Sequence, residues 1–121
     1  MQLQQDSNDG LQINAYALGK VQIAGQEYTH SVIVTPERVI NAWPPQTFAE
    51  LKADDFKMIV QESPELILLG TGETLIFPEQ EILADVYAAK IGIEIMDTAA
   101  ACRTFNLLVA DGRNVLAALI L

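Results

Sequence analysis

Cysteine and histidine are almost missing from this 121-residue chain: Cys102 and His30 are the only ones. A single cysteine excludes an internal disulfide. One residue of each kind also falls short of a Cys/His transition-metal site, so no metal and no cofactor are expected. Any Ser–His–Asp triad or Cys–His dyad would have to use His30. That residue sits in Thr29-His30-Ser31 at the entrance to the apolar run Val32-Ile33-Val34, a place for a surface or turn side chain. No carboxylate pair is spaced for acid/base work either, and no catalytic residue is nominated. Positive charge is scarce, with seven Lys and Arg against sixteen Asp and Glu and a net charge of −9. The cations Lys20, Arg38, Lys52, Lys57, Lys90, Arg103 and Arg113 are scattered, which argues against nucleic acid and anionic lipid as partners. The acidity reads as a solvated surface or as a match for a basic protein. No apolar run approaches the roughly 18 residues of a membrane span, and no basic-then-apolar leader opens the chain. No membrane insertion and a cytoplasmic location are the expectations.

What the chain does have is apolar content, half of all residues, enough for one independent core and not for two. A single domain over 1–121 is expected, with residues 1–10 fraying or capping a sheet edge. Short apolar stretches separated by Gly and Pro dominate up to Trp43: Leu11–Leu18, Val21–Ile23, Tyr28, Val32–Val34 and Val39–Trp43. They read as a β-meander. Strand–helix alternation follows. Asp54 or Asp55 caps a helix carrying Phe56, Ile59 and Val60, ended by Pro64. Leu66–Leu69 is a strand covered on both faces. Pro78 suits a first helical turn, Ile82, Leu83, Val86 and Tyr87 make its buried stripe, and Lys90 and Gly92 finish it. Ile93–Met96 is a strand, Asp97 or Thr98 caps a last helix burying Ala101, Phe105 and Leu108, and Val115–Leu121 closes the chain. Two successive β-helix-β crossovers imply a partly parallel, right-handed sheet. The fold class is α/β: a three-layer domain with a central mixed sheet flanked by helices, and a small additional β layer from the N-terminal half.

Two segments fall at the C-terminal ends of apparently parallel strands, where open α/β sheets bind ligands. One is Gly70-Thr71-Gly72, whose glycines let backbone amides approach an anion; it lacks the third glycine of a dinucleotide fingerprint and the Gly-Lys-Ser/Thr of a phosphate loop. The other is the start of the last helix, with Thr98, Arg103 and Thr104. Together these six residues form a candidate site for a small anion or metabolite. The alternative is that both segments only set turns and close packing, with Arg103 paired to a carboxylate and Cys102 buried as a small hydrophobe. Trp43, before Pro44-Pro45, is either a core plug or an exposed anchor for a partner.

Taken in order, Trp43, Leu68-Leu69-Gly70-Thr71-Gly72, Pro78, Gly92-Ile93, Met96–Asn106, Gly112-Arg113 and Ala117-Ala118-Leu119 resemble a known family. It is the small α/β family of bacterial and archaeal proteins of unknown function that includes the mitochondrial respiratory complex I assembly factor and the adipogenesis-associated domain protein. The resemblance implies a three-layer fold with a central mixed sheet and a non-enzymatic or unassigned role. No presequence opens the chain, so mitochondrial residence is not expected to carry over. Phe105 stands where the family often has Tyr, and Asp111 where it often has Glu, which removes a hydroxyl from any pocket there. The expected function is therefore a soluble interaction or assembly-accessory module with another protein as partner. A small-anion or small-metabolite binding protein, or an enzyme acting on one, is the alternative.

Overall fold

The computed structural model describes residues 10–121, so the expected fraying of residues 1–10 falls outside it except at Gly10. Three strands come first: β1 (Ile13–Ala17), β2 (Lys20–Ile23) and β3 (Gln26–Tyr28). They form an antiparallel sheet in the order β1-β2-β3. The next two, β4 (Val32–Val34) and β5 (Val39–Ile40), join β6 (Leu66–Gly70), β7 (Gly92–Met96) and β8 (Val115–Leu119) in a second sheet. Its order is β5-β4-β8-β6-β7; β6 runs parallel to both β7 and β8, and β4 runs antiparallel to β8. Helices α1 (Lys57–Gln61) and α2 (Ala84–Ala88) each follow a 3-10 turn, and α3 (Thr98–Ala110) links β7 to β8.

Strand alternation divides the core in two. In β8, Val115, Ala117 and Leu119 face one way, to α3 and the three-stranded sheet, where Phe105, Ala101, Val21 and Ile23 meet them. Leu116, Ala118 and the following Ile120 face the other way, toward Phe56, Ile59, Leu83, Val86 and Trp43. This explains why the closing segment is apolar at every position: each face has a layer over it. The layers are thus the α1/α2 side, the mixed sheet, and α3 with the small sheet, as expected from the sequence.

Several local expectations are corrected. Val32–Val34 leaves the meander and pairs with β8, because all three residues are apolar and fill both core faces. The strand expected over Val39–Trp43 stops at Ile40. Lys52, not Asp54 or Asp55, is the N-cap of the 3-10 turn Ala53–Phe56 that leads into α1; Asp55 sits three residues on and accepts from the Lys52 amide at 2.8 Å. Pro78 lies ahead of the 3-10 turn Gln80–Leu83 that leads into α2 and whose N-cap is Glu79. Tyr87, expected in the buried stripe, is exposed, and Lys90 itself takes the left-handed turn (φ 60°) while Gly92 begins β7. Leu108 is half-buried, and Val109 takes the buried place.

Beside this apolar packing, one side chain clasps β1 to α3 by hydrogen bonds. Asn106 accepts from the Ile13 amide and donates to the Ile13 carbonyl, both at 2.8 Å, matching the amide like another strand. Asn106→Ala leaves both backbone groups without that partner, at a cost of about 1–3 kcal/mol. Hydrogen exchange is expected to quicken across β1–β3 while β6 and β8 keep their protection; uniform loss over both sheets would show the clasp to be unimportant to docking.

Candidate functional site

Strands β6, β7 and β8 end together on one rim, where a single hydroxyl joins them. Thr98, fully buried at the first position of α3, accepts from the Gly72 amide at 2.8 Å and donates to the Ile120 carbonyl at 2.6 Å. Around it the Thr98 amide donates to Gly72, the Thr71 amide to Met96 and the Ile120 amide to Gly70, at 2.9–3.0 Å. Gly70 makes the close approach feasible. A Cβ there would stand 2.9 Å from the Thr98 hydroxyl and 3.0 Å from its Cα, inside contact distance. Asp97 caps the helix below by accepting from the Ala100 amide at 2.9 Å.

Gly70, Thr71, Gly72 and Thr98 are therefore brought together, but their donors face one another. The Thr71, Gly72 and Thr98 amides are all committed internally, and the Thr71 hydroxyl donates to Thr74 (2.7 Å) while accepting from the Ile76 amide (3.2 Å). Arg103 and Thr104 do not join them. Arg103 is five residues beyond Thr98, about 7.5 Å up the axis and about 140° around it. It lies in a cleft of about 330 Å³ between β1 and α3, with Asn14, Tyr16, Ala99, Cys102 and Asn106. Thr104, half-buried, is not part of that lining. Burial pushes the Cys102 thiol up to about 12, against a smaller opposing pull from Arg103. The Tyr16 hydroxyl is raised by burial first, then by Cys102, Glu73 and Asp97. Phe105, fully buried, belongs to the core.

Trp43 is also fully buried, with its indole N–H donating to the Asp55 carbonyl at 2.9 Å and its ring edge-on to Phe56 at 6.2 Å. It presents no surface to a partner, which replaces the exposed-anchor alternative with the core plug. Among the described residues no group of three His, Cys, Asp or Glu is placed to hold a metal ion, and no helix is long and apolar enough to cross a membrane.

A family model described as "protein of unknown function (DUF498/DUF598)" matches residues 13–120, both sheets and all three helices. The chain belongs to this family. It is 32% identical over 101 residues to the "13 kDa major membrane protein" of Francisella tularensis, covering 83% of this chain and 82% of that one. It is 28% identical to "NADH dehydrogenase [ubiquinone] 1 alpha subcomplex assembly factor 3" of Xenopus tropicalis, over 98% of this chain and 65% of the assembly factor's length. A crystal structure of a Bordetella parapertussis protein superposes with a TM-score of 0.85 at 32% identity, covering 91% of this chain and 94% of the other. Family membership accounts for the shared fold, and the family has no assigned activity to transfer.

Two features of the surface escape the reading of the sequence. The β1–α3 cleft joins residues some 90 positions apart, so no local pattern announces it. Leu75-Ile76-Phe77 does leave a signal: an apolar triplet in a loop between Gly72 and Pro78, bracketed by Glu73 and Glu79. All three are exposed, by 47%, 41% and 69%.

Replacing Thr98 by Val keeps the shape and orphans two buried backbone groups, each worth roughly 1–3 kcal/mol. Thr98→Ser keeps the hydroxyl and is expected to lose only about 1 kcal/mol, for one methyl. Urea unfolding distinguishes them; equal losses would remove the bridge from its central place. The thiol gives a second outcome. Cys102 releases its proton near 9.0 in the unfolded chain and near 12 when folded. Its stabilising share is complete below 9 and is lost as pH rises between the two values. Unfolding midpoints of the wild type should fall faster from pH 9 to 11 than those of Cys102→Ala, and parallel slopes would contradict this.

Proposed function

We propose that the chain is a non-enzymatic interaction or assembly-accessory module that contacts a protein partner through the loop tip Leu75-Ile76-Phe77. The observation that carries this is the exposure of three consecutive large apolar side chains on a segment held at its base. Exposed apolar residues scattered singly are ordinary, whereas a contiguous group marks a contact surface. Thr71 ties the loop to the β6 end through the Thr74 carbonyl and the Ile76 amide, so the triplet is presented from a fixed frame. A pre-formed tip gives up less freedom on binding. Relatives named as complex I assembly factors agree in kind with this reading. This chain spans 65% of that relative's length, and any partner identity belongs to the proposal alone.

A second reading rests on the β1–α3 cleft. Arg103 is exposed there and makes no ion pair among the described residues. In this reading a small anion binds Arg103 in that cleft, apart from the rim residues Gly70, Thr71, Gly72 and Thr98. Citrate or inorganic phosphate would shift the Tyr16 and Arg103 resonances of the wild type and leave Arg103→Gln unmoved. Equal shifts in both would remove this reading.

Affinity capture from native lysate, membrane fraction included, tests the main reading with wild type and Phe77→Ser side by side. Phe77→Ser touches an exposed side chain and should melt like the wild type. A reproducible partner is expected whose recovery drops about tenfold or more in the variant, the effect of losing an aromatic anchor. Equal recovery, or no reproducible partner under any condition, would contradict it.

A further inference from the structure

Strand β7 is the terminal strand of the mixed sheet, five residues long, and no described strand pairs with its outer side. The direction of its backbone groups follows from one bond. The Met96 carbonyl accepts from the Thr71 amide, with Gly70 and Met96 paired in parallel register. In a parallel ladder one residue turns both its N–H and its C=O to the same neighbour. Gly92, Glu94 and Met96 therefore bond to β6, and the N–H and C=O groups of Ile93 and Ile95 point out from the sheet: two donors and two acceptors in a row. The opposite edge, β5, is only two residues long, and short edges resist pairing.

Side chains along β7 specify what could pair there. Ile93 and Ile95 lean on the α1/α2 side of the core and stay half-exposed. Glu94, between them, is exposed on the other face. Thr71 links the end of β7 to the apolar loop: its amide bonds Met96 and its hydroxyl accepts from Ile76. Glu73 and Glu79 flank that loop, in a chain whose net charge is −9. Two copies pairing edge to edge would bring acidic surfaces and their Glu94 side chains together, and like charges across strands repel.

We propose that the outer edge of β7 accepts an extended segment of a basic protein partner as a sixth strand. Its apolar residues lie beside Ile93 and Ile95, its Lys or Arg beside Glu94, and its end reaches Leu75-Ile76-Phe77. Main-chain hydrogen bonds supply affinity and the alternate side chains supply specificity. This rests on the interaction reading above and names the form of the partner.

The probe is an acetylated, amidated heptapeptide alternating Lys and Val, with a Glu/Val peptide as control, read by amide hydrogen exchange. In the dilute free protein the Ile93 and Ile95 amides should exchange fast. Saturation with the Lys/Val peptide should slow both at least tenfold, and the Glu/Val peptide should leave them unchanged. Glu94→Lys, an exposed change that leaves the fold intact, should reverse the preference between the peptides. Ile95→Pro removes an outward N–H that β6 does not use, and should abolish protection of Ile93. Slow exchange of Ile93 and Ile95 without peptide would overturn the proposal. So would protection that grows with protein concentration, which would mean a second copy, or equal protection by both peptides. A partner captured by wild type and lost by Phe77→Ser, yet retained by Glu94→Lys and Ile95→Pro, would sink the edge and leave the interaction reading standing. Protection by the Lys/Val peptide with no partner ever captured would do the reverse.

Discussion

The hydroxyl of Thr98 sits where three parallel strand ends and the start of the longest helix meet, and the rest of the molecule is arranged around that contact. It accepts from the turn after β6 and donates to the residue after β8, while its own amide returns to Gly72. Gly70 contributes an absence: without a Cβ, the backbone of β6 comes up against Thr98 directly. A buried hydroxyl with both roles filled stabilises; the same hydroxyl with one role empty would cost as much as it now contributes. The rim therefore accommodates little change, and its closed hydrogen bonding leaves the Thr71, Gly72 and Thr98 amides no free N–H for a ligand.

Rigidity at the rim and chemistry at its margins go together. The loop leaving Gly72 can hold three apolar side chains in water because Thr71 anchors its base in the same set of bonds. The α3 helix, started by Thr98 and Asp97, carries Cys102 into the core and Asn106 to β1 on one face, and turns Arg103 to the cleft beside them. Glu73 and Glu79 flank the apolar tip, and exposed Glu94 stands on β7, whose outer side no described strand pairs.

Layering and the parallel part of the sheet were legible in the sequence, because period and punctuation carry them: the unbroken Leu66–Leu69 run, the caps at Asp97 and Gly112, and the closing Val115–Leu121 segment. The destination of Val32–Val34 was not, since a three-residue apolar strand fits a meander or a core edge equally well, and only its pairing with β8 decides. Gly70, Thr71, Gly72 and Thr98 were readable as neighbours from their places after parallel strands. Whether their donors face outward or inward was not, because that depends on the Ile120 carbonyl, some 50 residues from Gly70. Arg103 is close to Thr98 in sequence, and helical rotation carries it to another face. The exposed triplet resembles any short apolar run until the structure shows all three side chains open to solvent.

Native-state hydrogen exchange resolved by residue tests most directly the claim that the rim is a closed frame and the surface beside it is where contacts are made. The Gly72, Thr98 and Ile120 amides should exchange only through global unfolding, with the free energy measured independently by urea, while Leu75 and Phe77 exchange through local opening at far lower cost. Exchange of Gly72 and Thr98 at the low free energy of the loop would mean that the rim opens by itself, contradicting the account at its centre.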